Sequence, residues 1–241
     1  MDHLLNIKEA ARVLNVSEMS IRRWTNSGKL NCYRVGGKRE RRFRRRDLEE
    51  FLGDSQNHSL KPLGIGGRQV PDGSHLTHFY AGKEEAFSVS IPYLLEGIKN
   101  GERLLAVMPP GKIRELTETM EEQGHPVGHW LKTGRLSVST GMDSPAEMVR
   151  YLVAFAQGAG KFRVLGDMIW TVRRGWDLAD LSVLEQAPAF MPPVKDGLLL
   201  CQYNLEDFTG KTIMMAAETH RETIYKGKLR KSPYYKRQTG K

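Results

Sequence analysis

The chain has 241 residues, of which 39% are apolar and 8% aromatic, enough to bury a globular core and to exclude wholesale disorder. A formal charge of +9 and a pI near 9.6 point first to a polyanionic partner. Residues 1–60 carry +5, residues 221–241 carry +7 and the stretch between them carries −3, so a basic head and tail flank a slightly acidic body.

Cys32 and Cys201 are far apart, so no disulfide framework is indicated and a reducing cytoplasm fits. The first residues lack a basic and apolar leader, and no apolar run approaches the roughly 18 residues that span a bilayer, so a cytoplasmic, non-membrane protein is expected. Residues 53–74 contain five Gly and two Pro. They read as a linker between an N-terminal domain, 1–52, and a body, 75–241.

In the N-terminal domain, Ile7, Ala10, Ala11 and Leu14 lie on one face of a short helix. After a turn at Asn15 and Val16, Ser17 is a suitable N-cap for a second helix with Ile21 and Trp24 facing inward, ended by Gly28. Two short helices so joined suggest helix-turn-helix, with Glu18, Ser20, Arg22, Arg23 and Asn26 turned towards a DNA groove. Gly36-Gly37 then joins two extended arms, Tyr33–Val35 and Arg41–Arg44, as a basic hairpin carrying Lys38, Arg39, Arg41, Arg42 and Arg44. A short closing helix begins at Asp47 and runs through Phe51.

This order of helix, turn, helix, basic hairpin and helix over residues 4–52 resembles the MerR and excisionase type of winged helix. The resemblance implies that Ser17, Ser20, Arg22 and Arg23 sit on the recognition helix and that Arg34, Lys38, Arg39, Arg41 and Arg42 make wing and backbone contacts on double-stranded operator DNA. A single small module buries only about 600–1,000 Å² on DNA, so a homodimer or cooperative homo-oligomer on repeated half-sites is expected.

In the body, strand-like segments such as RLLAVM, RLSVST, FRVLGDMIW and GLLLCQY alternate with helix-like ones such as GKIRELTETMEEQG and SPAEMVRYLVAFAQG. That alternation predicts an α/β domain with a mostly parallel sheet covered on both faces. Ligands in such folds bind beyond the carboxyl ends of the strands, which directs attention to 78–83, 108–111, 167–170, Tyr203 and Asn204. The stretch THFYAGKE falls where a nucleotide phosphate loop would fall, and Asp167 closes a strand as a Walker B aspartate does. Thr77 stands in place of the first glycine, and Glu84 in place of the Mg²⁺-binding Ser or Thr, so ATP turnover is not expected.

His125 and His129 are separated by Pro126 and Gly128, which breaks a shared helical face, so no metal site and no cofactor are expected. Cys201 reads as an inert buried thiol. Met108, Met168, Met191, Met214 and Met215 read as core filling, with an adaptable apolar pocket as the alternative. The tail from Lys226 is expected to dock partly on the body, with contact to DNA phosphates as the alternative.

The runs HFYAGKEEAFSVSIPYLLEGIKNGERLLAV, RVLGDMIWTVRRG and LLLCQYNLEDF, with the closing TH...I..G.LR..PYY, resemble the MEDS sensory domain over residues 74–235. The resemblance implies a RecA/KaiC-like fold with a degenerate phosphate loop and a small apolar ligand, such as a halogenated or C1 hydrocarbon derivative. The family's recurring features fall on His78, Phe79, Tyr80, Gly101, Glu102, Asp167, Trp170, Tyr203 and His220. Many members have Glu where this chain has Asp167. Gly101 and Glu102 are expected in a turn, Phe79 in the core and His220 as a helix cap. With the strand ends, this leaves His78, Tyr80, Met108, Asp167, Trp170 and Tyr203 as the candidate ligand-binding set.

The joined architecture resembles that of dichloromethane dehalogenase repressors. The expected function is therefore a DNA-binding transcriptional regulator, a repressor rather than an enzyme. The alternative is an architectural DNA-binding protein whose ATPase-like body only oligomerises. An apolar cavity at the strand ends would favour the sensor, since a pure scaffold fills that space with side chains.

Overall fold

In a computed structural model that describes residues 4–27, 30–37, 39–45, 47–48, 51, 60–190 and 197–236, the chain forms two units, 1–59 and 60–241. The first opens on helix α1 (Ile7–Val13). Asn6 caps it by accepting from the Lys8 and Glu9 amides, while the Glu9 carboxylate accepts from the Asn6 amide. Asn15, at φ 51°, turns the chain in the left-handed region that asparagine tolerates. Ser17 then caps α2 (Glu18–Asn26) by accepting from the Ser20 amide. Ala10, Ala11, Leu14, Ile21, Leu30, Phe43 and Leu48 form the buried core of this unit.

The hairpin pairs β1 (Tyr33–Val35) with β2 (Glu40–Arg42), Tyr33 opposite Arg42. Its second arm starts at Glu40 and stops at Arg42, rather than spanning Arg41–Arg44. Val35 lies opposite Glu40, and between them the Arg39 amide donates to the Gly36 carbonyl. Phe43 leaves the strand because its side chain is drawn into the core and its backbone pairs with Leu5 instead.

The second unit begins inside the segment expected to be linker. β3 (Leu60–Pro62) and β4 (Gln69–Pro71) form a hairpin, and Leu63 and Val70 are buried in the core of the body. Residues 53–59 of the expected linker lie outside the described residues. There follow β5 (His75–Tyr80), α3 (Gly82–Lys99), β6 (Arg103–Val107), α4 (Pro110–Glu122), α5 (Val127–Lys132) and β7 (Leu136–Ser139). After these come α6 (Pro145–Ala159), β8 (Phe162–Asp167), α7 (Ile169–Arg173), α8 (Leu178–Gln186), β9 (Gly197–Asn204), α9 (Gly210–Thr219), β10 (Glu222–Tyr225) and β11 (Lys228–Lys231). The sheet order is β11-β10-β5-β9-β8-β6-β7, parallel throughout except for β10–β11.

Side chains alternate across a strand, so each strand feeds two cores. Leu76, Leu104, Ala106, Leu165, Leu198 and Leu200 pack with α3 and α4 on one face. Phe79, Leu105, Val107, Phe162, Val164, Leu199 and Tyr203 pack with α6, α8 and α9 on the other.

Glu102, expected only in a turn, is buried against Arg163, whose guanidinium also donates to the Pro62 and Leu63 carbonyls of the hairpin. The basic tail supplies an edge strand, β11. Lys226 and Gly227, both at positive φ, make the two-residue turn into it. Beyond β11 the chain docks on α9, where the Lys236 amide donates to the Glu218 carbonyl and its ammonium reaches the Glu218 carboxylate.

Candidate DNA-binding and ligand-binding sites

On α2, Arg22 and Arg23 are exposed, Arg22 lying 3.9 Å from Glu18. Ser17 and Ser20 bond to each other at the start of the helix, 3.1 Å between hydroxyls, so both help set its first turn. In the hairpin Arg34 and Arg39 are exposed, and the other arginines have structural partners. Arg41 donates to Asn26 at 2.6 Å and so ties the hairpin to the end of α2. Arg42 pairs with Glu40, and the Arg44 guanidinium sits over the Tyr33 ring. Lys38 lies outside the described residues.

In the body, the six candidate ligand residues separate. Tyr80, Met108 and Asp167 line one cavity of about 170 Å³ at the carboxyl ends of β5, β6 and β8. Tyr80 Oη donates to Asp167 Oδ2 at 2.7 Å, and Lys112 Nζ reaches both, at 2.5 Å and 2.7 Å. Burial, with the Asp167 carboxylate beside it, pushes the Tyr80 hydroxyl well above its ordinary range. Lys112, in the first turn of α4, is absent from the sequence-based set because nothing local distinguishes it from other helix lysines.

His78 lies behind this cavity. It is fully buried, and its Nδ1 accepts from Gln202 Nε2 at 2.8 Å, which leaves the proton on Nε2, an atom without a hydrogen-bond partner among the described residues. Burial lowers its pKa to about 4, with the Glu85 charge opposing. Because the folded value lies below the unfolded 6.5, the unfolded chain binds the proton first, and stability is lost as pH falls from about 6.5 towards 4. Urea titrations at about pH 7.5 and pH 5 should show wild type losing about 2 kcal/mol more than His78→Gln over that interval. Equal losses in the two proteins would show that His78 does not titrate in this way.

Trp170 and Tyr203 belong to the opposite face. Trp170 lines an apolar cavity of about 40 Å³ with Val107, Met148, Leu152, Val164 and Met168, and His75, Glu185 and Cys201 are also in its lining. Its indole packs edge-on to Trp176 and lies so close to Gly141, at φ 83°, that a Cβ there would come within 2.1 Å of the ring. Tyr203 donates to Glu185 Oε1. The division follows from register: Asp167 is opposite Gln202 in the β8–β9 ladder, so Tyr203, the next residue, points the other way. The methionines divide likewise, Met108 and Met168 lining different cavities and Met214 being exposed, while Met191 lies outside the described residues.

Residues 74–221 match the family described as "MEDS: MEthanogen/methylotroph, DcmR Sensory domain", and residues 4–54 match a helix-turn-helix domain. The chain belongs to the MEDS family. It is 34% identical over 253 residues to the transcriptional repressor DcmR of Methylorubrum extorquens, an alignment covering 95% of this chain and 94% of that protein. Among solved structures, the KaiC-like protein PH0186 of Pyrococcus horikoshii superposes with a TM-score of 0.55 at 14% identity, covering 74% of this chain and 88% of that one. The MEDS unit thus has a KaiC-like fold, with a mostly parallel sheet of seven strands.

The loop after β5, which falls where a nucleotide phosphate loop would fall, carries a carboxylate bonded to its own backbone. Glu85 Oε2 already accepts from the Ala81 amide at 2.9 Å, so a carboxylate stands where phosphate oxygens would seek N–H donors. Asp167 Oδ2 accepts from both Lys112 and Tyr80, so that oxygen is already paired within the chain.

Proposed function

We propose that this MEDS-family protein is a ligand-responsive transcriptional repressor without enzymatic activity. Its helix-turn-helix unit holds operator DNA, as a homodimer or cooperative oligomer, and its MEDS unit senses a small apolar molecule. The name of the DcmR relative supports the repressor reading, and the exposed Arg22, Arg23, Arg34 and Arg39 support contact with DNA.

The observation that carries the ligand reading is the cavity beside Trp170. Its walls are almost wholly apolar, and its size suits a molecule of a few heavy atoms. A scaffold with no ligand would fill that volume with side chains. The Tyr80 cavity is a poorer place for an apolar molecule, because the Lys112–Asp167 ion pair would lose solvation without gaining a partner. Ligand binding relieves repression by favouring one arrangement of the protein over another, since equal affinity for both would shift nothing.

The test is fluorescence anisotropy on DNA from upstream of the protein's own gene, against scrambled DNA, with and without dichloromethane and related small halocarbons. Specific binding should weaken by about 5–150-fold with ligand, the usual range of coupling between sites. Leu152→Phe, which fills the cavity, should keep the DNA affinity and lose the response. Specific binding untouched by every compound would remove the apolar ligand. Binding no tighter than to scrambled DNA would favour the architectural alternative.

A further inference from the structure

Four side chains with metal-ligating atoms meet on the face of the sheet that carries Trp170 and Tyr203. They are His75 at the start of β5, Glu185 near the end of α8, Cys201 in β9 and His220 directly after α9. One ligand atom from each lies within 4.8 Å of all the others. His75 Nε2 is 2.9 Å from His220 Nε2, 3.2 Å from Cys201 Sγ and 3.2 Å from Glu185 Oε2. His220 Nε2 is 3.2 Å from the same carboxylate oxygen. Tetrahedral ligation with bonds of about 2.0–2.3 Å places ligand atoms about 3.3–3.8 Å apart, so the contacts of 2.9–3.2 Å must open by a few tenths of an ångström and the widest, up to 4.8 Å, must close by about 1 Å to admit an ion.

The surrounding atoms already orient these groups. His220 Nδ1 is 2.8 Å from the Ala216 carbonyl, which can only accept, so Nδ1 carries a proton and Nε2 is the atom turned to the cluster. Tyr203 donates to Glu185 Oε1 and leaves Oε2 for the centre. The Glu185 and His220 side chains are 1% and 0% exposed. A divalent ion bound by one thiolate, one carboxylate and two neutral imidazoles has no net charge, which suits a site walled by apolar residues. Two nitrogens, one sulfur and one oxygen form a borderline donor set that favours zinc-like ions over Mg²⁺ or Ca²⁺.

We propose that His75, Glu185, Cys201 and His220 bind one divalent transition-metal ion of the zinc type. This goes beyond the expectation from sequence, which weighed only His125 and His129 as a metal pair. The ion pins two adjacent strands to the ends of two helices. His75, Glu185 and Cys201 are also among the residues that line the Trp170 cavity, so the ion borders that cavity. The proposal does not depend on what the cavity binds.

The experiment is elemental analysis of untagged full-length protein after exhaustive dialysis, followed by replacement of the ion with Co²⁺. About one zinc per chain is expected. The cobalt form should show a thiolate-to-cobalt charge-transfer band and the intense visible bands of tetrahedral coordination. Cys201→Ser should abolish the charge-transfer band and Cys32→Ser should leave it intact. Tyr203→Phe should weaken metal affinity by about 10–100-fold through loss of the support to Glu185. Wild-type protein that is folded by circular dichroism, carries negligible metal and gives no cobalt bands would overturn the proposal. In that case a metal-free His220–Glu185 ion pair accounts for the cluster. A charge-transfer band unchanged in Cys201→Ser would overturn it equally. Should the variants fail to fold, the wild-type metal content and cobalt spectrum decide by themselves.

Discussion

Replacing Arg163 by Met is expected to lower the unfolding free energy of the MEDS unit by about 3–5 kcal/mol, the usual result of removing one partner from a buried ion pair. Arg163 is fully buried, with Nε 2.5 Å from Glu102 Oε2. Its guanidinium also donates to the carbonyls of Pro62, Leu63 and Tyr93 and lies over the Tyr93 ring. Without it, a buried carboxylate, two buried carbonyls and the part-buried one of Pro62 lose this donor. The double replacement Arg163→Met with Glu102→Leu should recover a substantial part of the loss, because the uncompensated charge is gone. Urea denaturation of the three proteins measures this directly. Hydrogen exchange should in addition show the 60–71 hairpin losing protection first, since Pro62 and Leu63 are its attachments to Arg163. A loss below about 1 kcal/mol in the single variant would mean that the pair contributes no more than an exposed one.

The second large effect concerns DNA. Affinity for operator DNA should fall by about 10³–10⁵ between about 50 and 200 mM salt if six to ten phosphates are contacted, since log K falls by roughly 0.9 per phosphate. The arginines should not behave alike. Arg34 and Arg39 are exposed, and removing either should reduce the salt slope by about 1 and weaken all DNA sequences equally. Arg23→Ala on α2 should instead narrow the preference for operator over scrambled DNA, because base edges rather than phosphates carry sequence information. Arg41→Ala should do more than remove a charge, since its bond to Asn26 fixes the hairpin against α2. Anisotropy titrations across a salt series test each statement. A slope near zero would exclude the arginine surface as the DNA contact.

The features legible in the sequence depend on interactions a few residues long. Ser17 caps α2 because its side-chain oxygen reaches the amide of Ser20, three residues on, and that helix begins where the sequence places the cap. The apolar runs of β6, β8 and β9 declare strands buried on both faces, and their alternation with helices implies the parallel sheet. The defects of the nucleotide loop at Thr77 and Glu84 are likewise local.

Strand order, register and long-range pairing are not local, and they decided the rest. A Gly- and Pro-rich stretch reads as linker until a buried arginine 100 residues away supplies donors for its carbonyls. Side-chain alternation assigned Tyr80 and Asp167 to one face of the sheet and Tyr203 to the other, so candidates grouped by nearness to strand ends occupy different cavities. Residues 75, 185, 201 and 220 share no spacing that signals a metal. Only the pairing of β5 with β9, and the packing of two helix ends beside them, brings four ligand atoms within reach of one ion.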